Sequence, residues 1–220
     1  MRRFLAAAFY ELASRACGFL MIFLFSARSV GSGNIPRRGP ALLIANHESF
    51  IDPIVVGVAI GRHVSFLARK TLFKSAFKRL ILESLNAVPI DQEGVGKEGI
   101  RNIIKQLQSG HAVLVFPEGE RSWDGDLHAL RPGIALLLER AAVPIVPVGV
   151  AGAFEAWSRH RAFPTPSPIF LGATDRTMAV AFGPPRDPVT LKGMTRKQML
   201  ETLRADIAAQ ILRAEAIRRK

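Results

Sequence analysis

The strongest constraint on the fold is a set of short apolar runs, each four to six residues long, recurring along the chain: 41–45, 64–68, 87–90, 112–116, 145–150 and 177–182. Runs this short that are apolar at nearly every position read as strands buried on both faces, because a half-exposed strand would alternate. Between them lie stretches with helical periodicity at 53–60, 72–85, 97–108 and 133–142. Strands separated by helices predict an α/β fold: a mostly parallel, mixed sheet covered by helices on both faces. A last helix is expected from 195 to 220, where Met199, Leu203, Ile207, Ile211 and Leu212 fall near one stripe with arginines opposite. With 220 residues and 49% apolar composition, the chain can bury a core without disulfides. Its single cysteine, Cys17, excludes a disulfide framework and a cysteine-based zinc site.

The first 34 residues differ from the rest. Arg2 and Arg3 precede an apolar stretch that Glu11 and Arg15 interrupt, and the uninterrupted part, 16–27, is too short to span hydrocarbon. A signal peptide is disfavoured by those charges and by the lack of an A-x-A site after Phe25. A core helix is one reading. The preferred one is a helix lying in a single leaflet, anchored by arginines and by Phe4, Phe9, Tyr10, Phe19, Phe23 and Phe25. The breaker-rich run from Gly31 to Pro40 follows it. The expected organisation is therefore a membrane-associated segment, 1–34, and a domain, 35–220.

Charge points the same way. The net charge is +12, of which residues 1–38 carry +5 and residues 195–220 carry +4, leaving only +3 for the middle. Basic ends around an apolar segment suit an anionic membrane surface better than a nucleic acid, which calls for cations clustered on one folded face.

Several familiar site motifs are missing. No serine has glycines at both minus two and plus two, Gly96-Lys97 lacks the rest of a phosphate loop, and Pro36 stands where a dinucleotide fingerprint needs its third glycine. The five histidines form no H-E-x-x-H pair, so no metal is expected.

Two segments hold together. Asn46-His47-Glu48-Ser49-Phe50-Ile51-Asp52-Pro53 begins where the strand 41–45 ends, at the sheet edge where α/β proteins bind reactants. His47 and Asp52 are five apart and would diverge on a helix, so they meet only across a tight loop. Pro53 makes Asp52 a natural helix N-cap, a role compatible with chemistry. Phe116-Pro117-Glu118-Gly119-Glu120-Arg121-Ser122 follows the strand 112–116 to the same edge. By itself this run is either a solvated charged loop or a site for a phosphate or carboxylate.

Together these segments resemble the glycerolipid acyltransferase family of the 1-acyl-glycerol-3-phosphate type, over about residues 35–190. His47 through Asp52 fits its H-x4-D block, and Val88-Pro89-Ile90-Asp91 stands where its second block belongs. The run from Phe116 to Ser122 looks like its FPEGTRS block, and Val143-Pro144-Ile145-Val146-Pro147-Val148 like its VPIVPV block. The resemblance implies transfer of a fatty acyl group from acyl-CoA or acyl-carrier protein to the free hydroxyl of 1-acyl-glycerol-3-phosphate, giving phosphatidate. No cofactor is implied beyond the thioester co-substrate. It implies His47 as general base and Asp52 as its support. Arg121, with Lys70, Glu118 and Gly119, would serve the substrate, Glu118 chiefly by ordering its loop. An imidazole with an ordinary pKa of about 6.5 is largely neutral at pH 7 and suited to that task. The family's location, implied likewise, is the cytoplasmic face of the inner membrane.

Two departures bear on the acceptor. Gln92 stands where the second block usually ends in arginine, and Glu120 replaces the threonine before Arg121. Both are expected to weaken a phosphate site, leaving another lysolipid acceptor as the alternative. A non-catalytic lipid-binding role is disfavoured by the intact His47 and Asp52. The pattern at 72–85 reads either as a core-facing helix or as a second membrane contact.

Overall fold

The computed structural model describes residues 2–76, 79, 82–83, 86–90 and 97–219, with side chains from residue 11 onward except those of residues 13 and 97. A seven-stranded sheet forms its centre: β1 (Arg28–Val30), β2 (Ala41–Ala45), β3 (Val64–Arg69), β4 (Ala87–Ile90), β5 (Ala112–Val115), β6 (Ile145–Ala151) and β7 (Ala179–Phe182). Their spatial order is β1-β7-β6-β2-β5-β3-β4. The five strands from β6 to β4 are parallel; β7 runs antiparallel to β6, and β1 pairs parallel with β7. The expected mixed, mostly parallel sheet is the observed one.

The helices are α1 (Arg2–Phe25), α2 (Asp52–Ala59), α3 (Lys97–Gln108), α4 (Gly133–Arg140), α5 (Ala153–Trp157) and α6 (Arg196–Arg218). They fall on two faces. One apolar layer joins Leu43, Ala45, Val146 and Val148 to Met21 and Phe25 of α1 and to Val55 and Val56 of α2. The other joins Leu42, Ile44, Val113 and Val115 to Ile103 of α3, Ile134 and Leu137 of α4, and Leu203 and Ile207 of α6. Successive residues of β2 thus supply opposite layers, which is why that strand reads as apolar throughout. Each such side chain, fully buried, contributes about 1.5–3 kcal/mol.

The long helix α6 starts with a capping box: the Thr195 side chain accepts from the Gln198 backbone N–H, and the Gln198 side chain accepts from that of Thr195. It crosses β6 very closely. A Cβ at Gly149 would lie 2.1 Å from the Gln210 carbonyl carbon, so only glycine admits the helix backbone there. The buried stripe follows Met199, Leu203 and Ile207 but then takes Gln210 and Ala214, while Leu212 stands exposed.

Two elements went unanticipated. The strand β1 is only Arg-Ser-Val, at the sheet's edge, and α5 is a single short helix after β6. Residues 28–30 belong to the sequence segment 1–34, yet they pair with β7, and Met21 and Phe25 sit in the core. The pattern at 72–85 opens as a 3-10 turn, Lys70–Lys74, and most of residues 77–85 lie outside the described residues.

Candidate active site

Because β2 and β5 are hydrogen-bonded neighbours running the same way, with Leu43 opposite Leu114 and Ile44 opposite Val115, the segments after them emerge side by side. Asn46 fastens the first. Its amide donates to the Val150 carbonyl and its Oδ1 accepts from the Val150 N–H, continuing the β2–β6 pairing through a side chain. The chain then turns through residues 46–50, as the five-residue spacing requires, and α2 begins at Asp52.

His47 Nδ1–H donates to Asp52 Oδ2 at 2.7 Å, and the same oxygen accepts from the backbone N–H groups of Glu48 and Ser49, each at 2.7 Å. Asp52 is fully buried, while the His47 side chain is 18% exposed. The expectation of Asp52 as N-cap is corrected here. It occupies the first turn, Ile51 is the capping position without a side-chain bond, and the carboxylate faces back into its own loop. That geometry fixes the tautomer: three donors converge on one acceptor, so Nδ1 carries the proton and Nε2 is left as a base.

The second segment locks the first. Glu118 Oε1 accepts from the His47 N–H at 2.8 Å, Glu118 Oε2 from the His128 N–H at 2.9 Å, and the Ser122 N–H donates to the His47 carbonyl at 2.7 Å. The Phe116 ring stacks on the imidazole with centroids 4.0 Å apart. Burial raises the Glu118 pKa, opposed by these two backbone bonds. Glu118 joins the two loops through these bonds and, unlike the other residues expected to serve the substrate there, Gly119 and Arg121, does not itself line the cleft.

The cleft has a volume of about 370 Å³ and brings His47, Gly119 and Arg121 together with Phe50, Arg69 and apolar Phe66, Leu72, Leu82 and Leu114. Gly119 takes a left-handed backbone, φ 81°, which turns the loop there. The Arg121 guanidinium lies over the Phe50 ring, 3.4 Å from its centroid. Its Nη1 is buried and has no hydrogen-bond partner among the described residues. Burial lowers the Arg121 pKa, with the like charges of Arg159 and Arg69 adding to the effect and Asp52 opposing it. Cations crowded around a buried donor make a place for an anion.

Two sequence readings change. Lys70 is turned to Glu98, 3.6 Å away, and the cation lining the cleft is its neighbour Arg69 at the end of β3. Glu120 does not oppose Arg121: it pairs with Arg131 at 2.8 Å and Arg159 at 3.7 Å, and Arg159 in turn donates to the Arg121 carbonyl. Gln92 lies outside the described residues. Phe50, Arg69 and Arg159 were missed. Phe50 stood inside the H-x4-D block and Arg69 beside Lys70, but nothing in the sequence tied Arg159 to the site.

A family model described as Acyltransferase matches residues 26–151. The chain belongs to the Acyltransferase family. It is similar to the 1-acyl-sn-glycerol-3-phosphate acyltransferase of Bacillus subtilis, 26% identical over 144 residues, which are 65% of this chain and 71% of that protein. Similar too are those of Borreliella burgdorferi, 23% identical over 138 residues (61% and 55%), and Limnanthes alba, 31% identical over 161 residues (69% and 55%). Apart from the Bacillus protein, the match thus spans about half the length of these relatives. The solved 1-acyl-sn-glycerophosphate (LPA) acyltransferase of Thermotoga maritima shares the fold, with a TM-score of 0.73 at 23% identity over 98% of this chain and 82% of that one.

Proposed function

We propose that the protein transfers a fatty acyl group from an acyl thioester, acyl-CoA or acyl-carrier protein, to the free hydroxyl of 1-acyl-glycerol-3-phosphate, giving phosphatidate. The observation that carries this reading is the 2.7 Å His47–Asp52 pair at an apolar cleft that also holds Arg121. The names of the similar proteins support the same acceptor.

The chemistry follows from the geometry. The acceptor hydroxyl attacks the thioester carbonyl as His47 Nε2 takes its proton, so no protein nucleophile is needed. Asp52 holds Nδ1–H and stabilises the imidazolium that forms. Collapse of the tetrahedral intermediate breaks the C–S bond, and the imidazolium returns the proton to the departing thiolate. Arg121, with Arg69 across the cleft, holds the acceptor phosphate. The Glu120 carboxylate also lines the cleft, but it pairs with Arg131 and Arg159 and not with Arg121, which leaves Arg121 for a phosphate monoester. The apolar walls from Phe66, Leu72 and Leu114 suit an acyl chain.

The same reading sets the protein on a membrane, at the cytoplasmic face of the inner membrane. Along α1, Leu12, Phe19, Leu20, Ile22 and Phe23 are exposed, while Met21 and Phe25 face the core. No helix among the described residues is long and apolar enough to cross a membrane. A helix that packs one side on the core and lays its exposed apolar side in one leaflet accounts for both facts.

The test is acyl transfer by the purified full chain from both thioester donors to a panel of lysolipids. Phosphatidate from lysophosphatidate, at the highest kcat/KM of the panel, is expected. A clear preference for an acceptor without a phosphate monoester would overturn the assignment.

A further inference from the structure

A second apolar surface lies far from α1 in sequence and against it in space. The turn Ile169–Leu171 follows the proline-rich stretch 162–168, and its three side chains are 54%, 69% and 67% exposed. This exposure is not that of a loose loop. The Ser167 N–H donates to the Leu24 carbonyl, and Ser26 Oγ–H donates to the Ser167 carbonyl, both at 2.8 Å, so the approach to the turn is tied to the end of α1. The hydroxyls of Ser167, Thr174 and Thr177 interlink and close the base of the loop. The Phe170 ring lies 6.1 Å from that of Phe23, which stacks on Phe19 at 5.8 Å. A row of exposed rings therefore runs from α1 onto the turn.

The charges in these segments are mainly basic. Residues 12–47 and 156–174 contain no aspartate or glutamate and carry Arg15, Arg28, Arg37, Arg38, Arg159 and Arg161, of which Arg15 pairs with Glu11 at 4.0 Å and Arg159 with Glu120 at 3.7 Å. Asp175 and Arg176, the next two residues, pair with each other at 3.6 Å. Apolar side chains bordered by an excess of cations over carboxylates complement an anionic lipid surface better than a second copy of the same basic chain. Side chains held outward by backbone hydrogen bonds are placed for insertion.

We propose that the Ile169–Leu171 turn and the outward face of α1 form one surface that seats in an anionic leaflet, the turn acting as a wedge beside the helix. The inference rests on the reading that the substrates are bilayer lipids. The turn shares in holding the protein on the membrane, and its place is fixed relative to the cleft because Ala156, Trp157 and the loop are joined: the Thr165 N–H donates to the Ala156 carbonyl, Trp157 Nε1–H donates to the Arg161 carbonyl, and Trp157 meets Phe50 at 5.5 Å.

The experiment uses the purified full chain and sedimentation with vesicles of equimolar phosphatidylglycerol and phosphatidylcholine. I169S/F170S/L171S should need about tenfold more lipid, or beyond, for half-binding, since three exposed apolar groups are lost from the inserted surface. Phe170→Trp should show blue-shifted emission with vesicles, quenched by lipids brominated on their acyl chains, beyond the signal of the parent chain. Transfer to a dispersed short-chain lysophosphatidate should be unchanged by the triple substitution. Unchanged vesicle binding, absent quenching, or a parent chain that dimerises through this surface without binding vesicles would each overturn the inference. A parent chain that binds through the turn but acylates no acceptor would remove the proposed activity and leave the surface standing.

Discussion

Around the end of β2, an aspartate, a histidine and two glutamates are drawn into the protein and met by hydrogen bonds, whereas along α1 and the 169–171 turn phenylalanine, isoleucine and leucine side chains stand in the open. Folding alone favours neither arrangement. Burying ionisable groups is costly unless each is partnered, and exposing large apolar ones forgoes their burial. The first region tolerates its cost because both loops supply backbone donors: Asp52 Oδ2 receives three hydrogen bonds, two of them from the backbone, and Glu118 receives the N–H groups of His47 and His128. The second has no such compensation among the described residues, and the proposed membrane contact would supply it. Polar groups inside mark chemistry, and apolar groups outside mark a partner.

The largest loss is expected at His47. His47→Ala should lower the transfer rate by about 10²–10⁴-fold, the ordinary worth of a general base, with a melting temperature close to the parent's. A variant retaining more than about a tenth of the parent rate would show that the buried polar region is scaffolding. Asp52→Asn comes next. An amide oxygen can take the place of Oδ2, but it carries no charge to stabilise the imidazolium and its NH₂ would be buried where Oδ1 has no partner among the described residues, so activity should fall by about 10²-fold and stability by about 1–3 kcal/mol. Denaturant unfolding beside the kinetic assay separates the two losses. Unchanged stability would mean that the amide oxygen keeps the bonds made to Oδ2 and that the buried NH₂ costs nothing.

The sheet was legible because β2, β5 and β6 are buried on both sides and therefore apolar residue after residue. β1 was not, since Arg-Ser-Val at an edge needs no apolar pattern and gains its place from β7. Of the site, His47, Asp52 and Arg121 could be read from spacing and resemblance, since both segments follow neighbouring parallel strands. Arg69 could not be separated from Lys70. Which of two adjacent cations faces a cleft depends on where the backbone leaves β3, and that is set by the turn Lys70–Lys74. Nor could the destination of Glu120 be read, because Arg131 and Arg159 reach it only after folding, from 11 and 39 residues away. The 169–171 turn was invisible for the opposite reason: three apolar residues in a loop look like core until nothing is found to cover them.

A smaller effect is expected at Arg121, whose buried Nη1 has no hydrogen-bond partner among the described residues. Arg121→Ala should raise KM for lysophosphatidate roughly ten- to a hundredfold, the worth of a charge-assisted pair of about 1.5–3 kcal/mol. Arg121→Lys should recover only part, because a lysine keeps the charge but loses the two-pronged donor and the flat stack on Phe50. The control is an acceptor without the phosphate monoester. If Arg121→Ala leaves the ratio of kcat/KM for the two acceptors unchanged, the cation does not read the phosphate.

The smallest expected effect concerns Glu48, a fully buried carboxyl that the reaction does not use. Burial, first, and then repulsion from Asp52 and Glu155 push its pKa well above the ordinary value of 4.5, against the Phe154 N–H bond and the more distant Arg218. Folding therefore tightens its hold on the proton. The stability it contributes is fully present below about pH 4.5 and is lost as the pH rises through its folded pKa. Glu118, raised in the same direction by burial, adds a similar slope that Glu48→Gln leaves in place. Glutamine resembles the neutral acid in shape and cannot ionise, so Glu48→Gln should gain melting temperature relative to the parent as the pH is raised from 4 towards 8. At the acid end it should be no more stable than the parent, since one oxygen must serve the two donors that Glu48 meets at Asn46 Nδ2 and Phe154 N. A melting-temperature difference that stays flat across this range would mean that Glu48 is ionised throughout and that the Asn46 and Phe154 donors offset its burial. Glu48 would then be a buried charge held by its two donors, whereas the exposed apolar side chains of α1 and the 169–171 turn have no cover among the described residues.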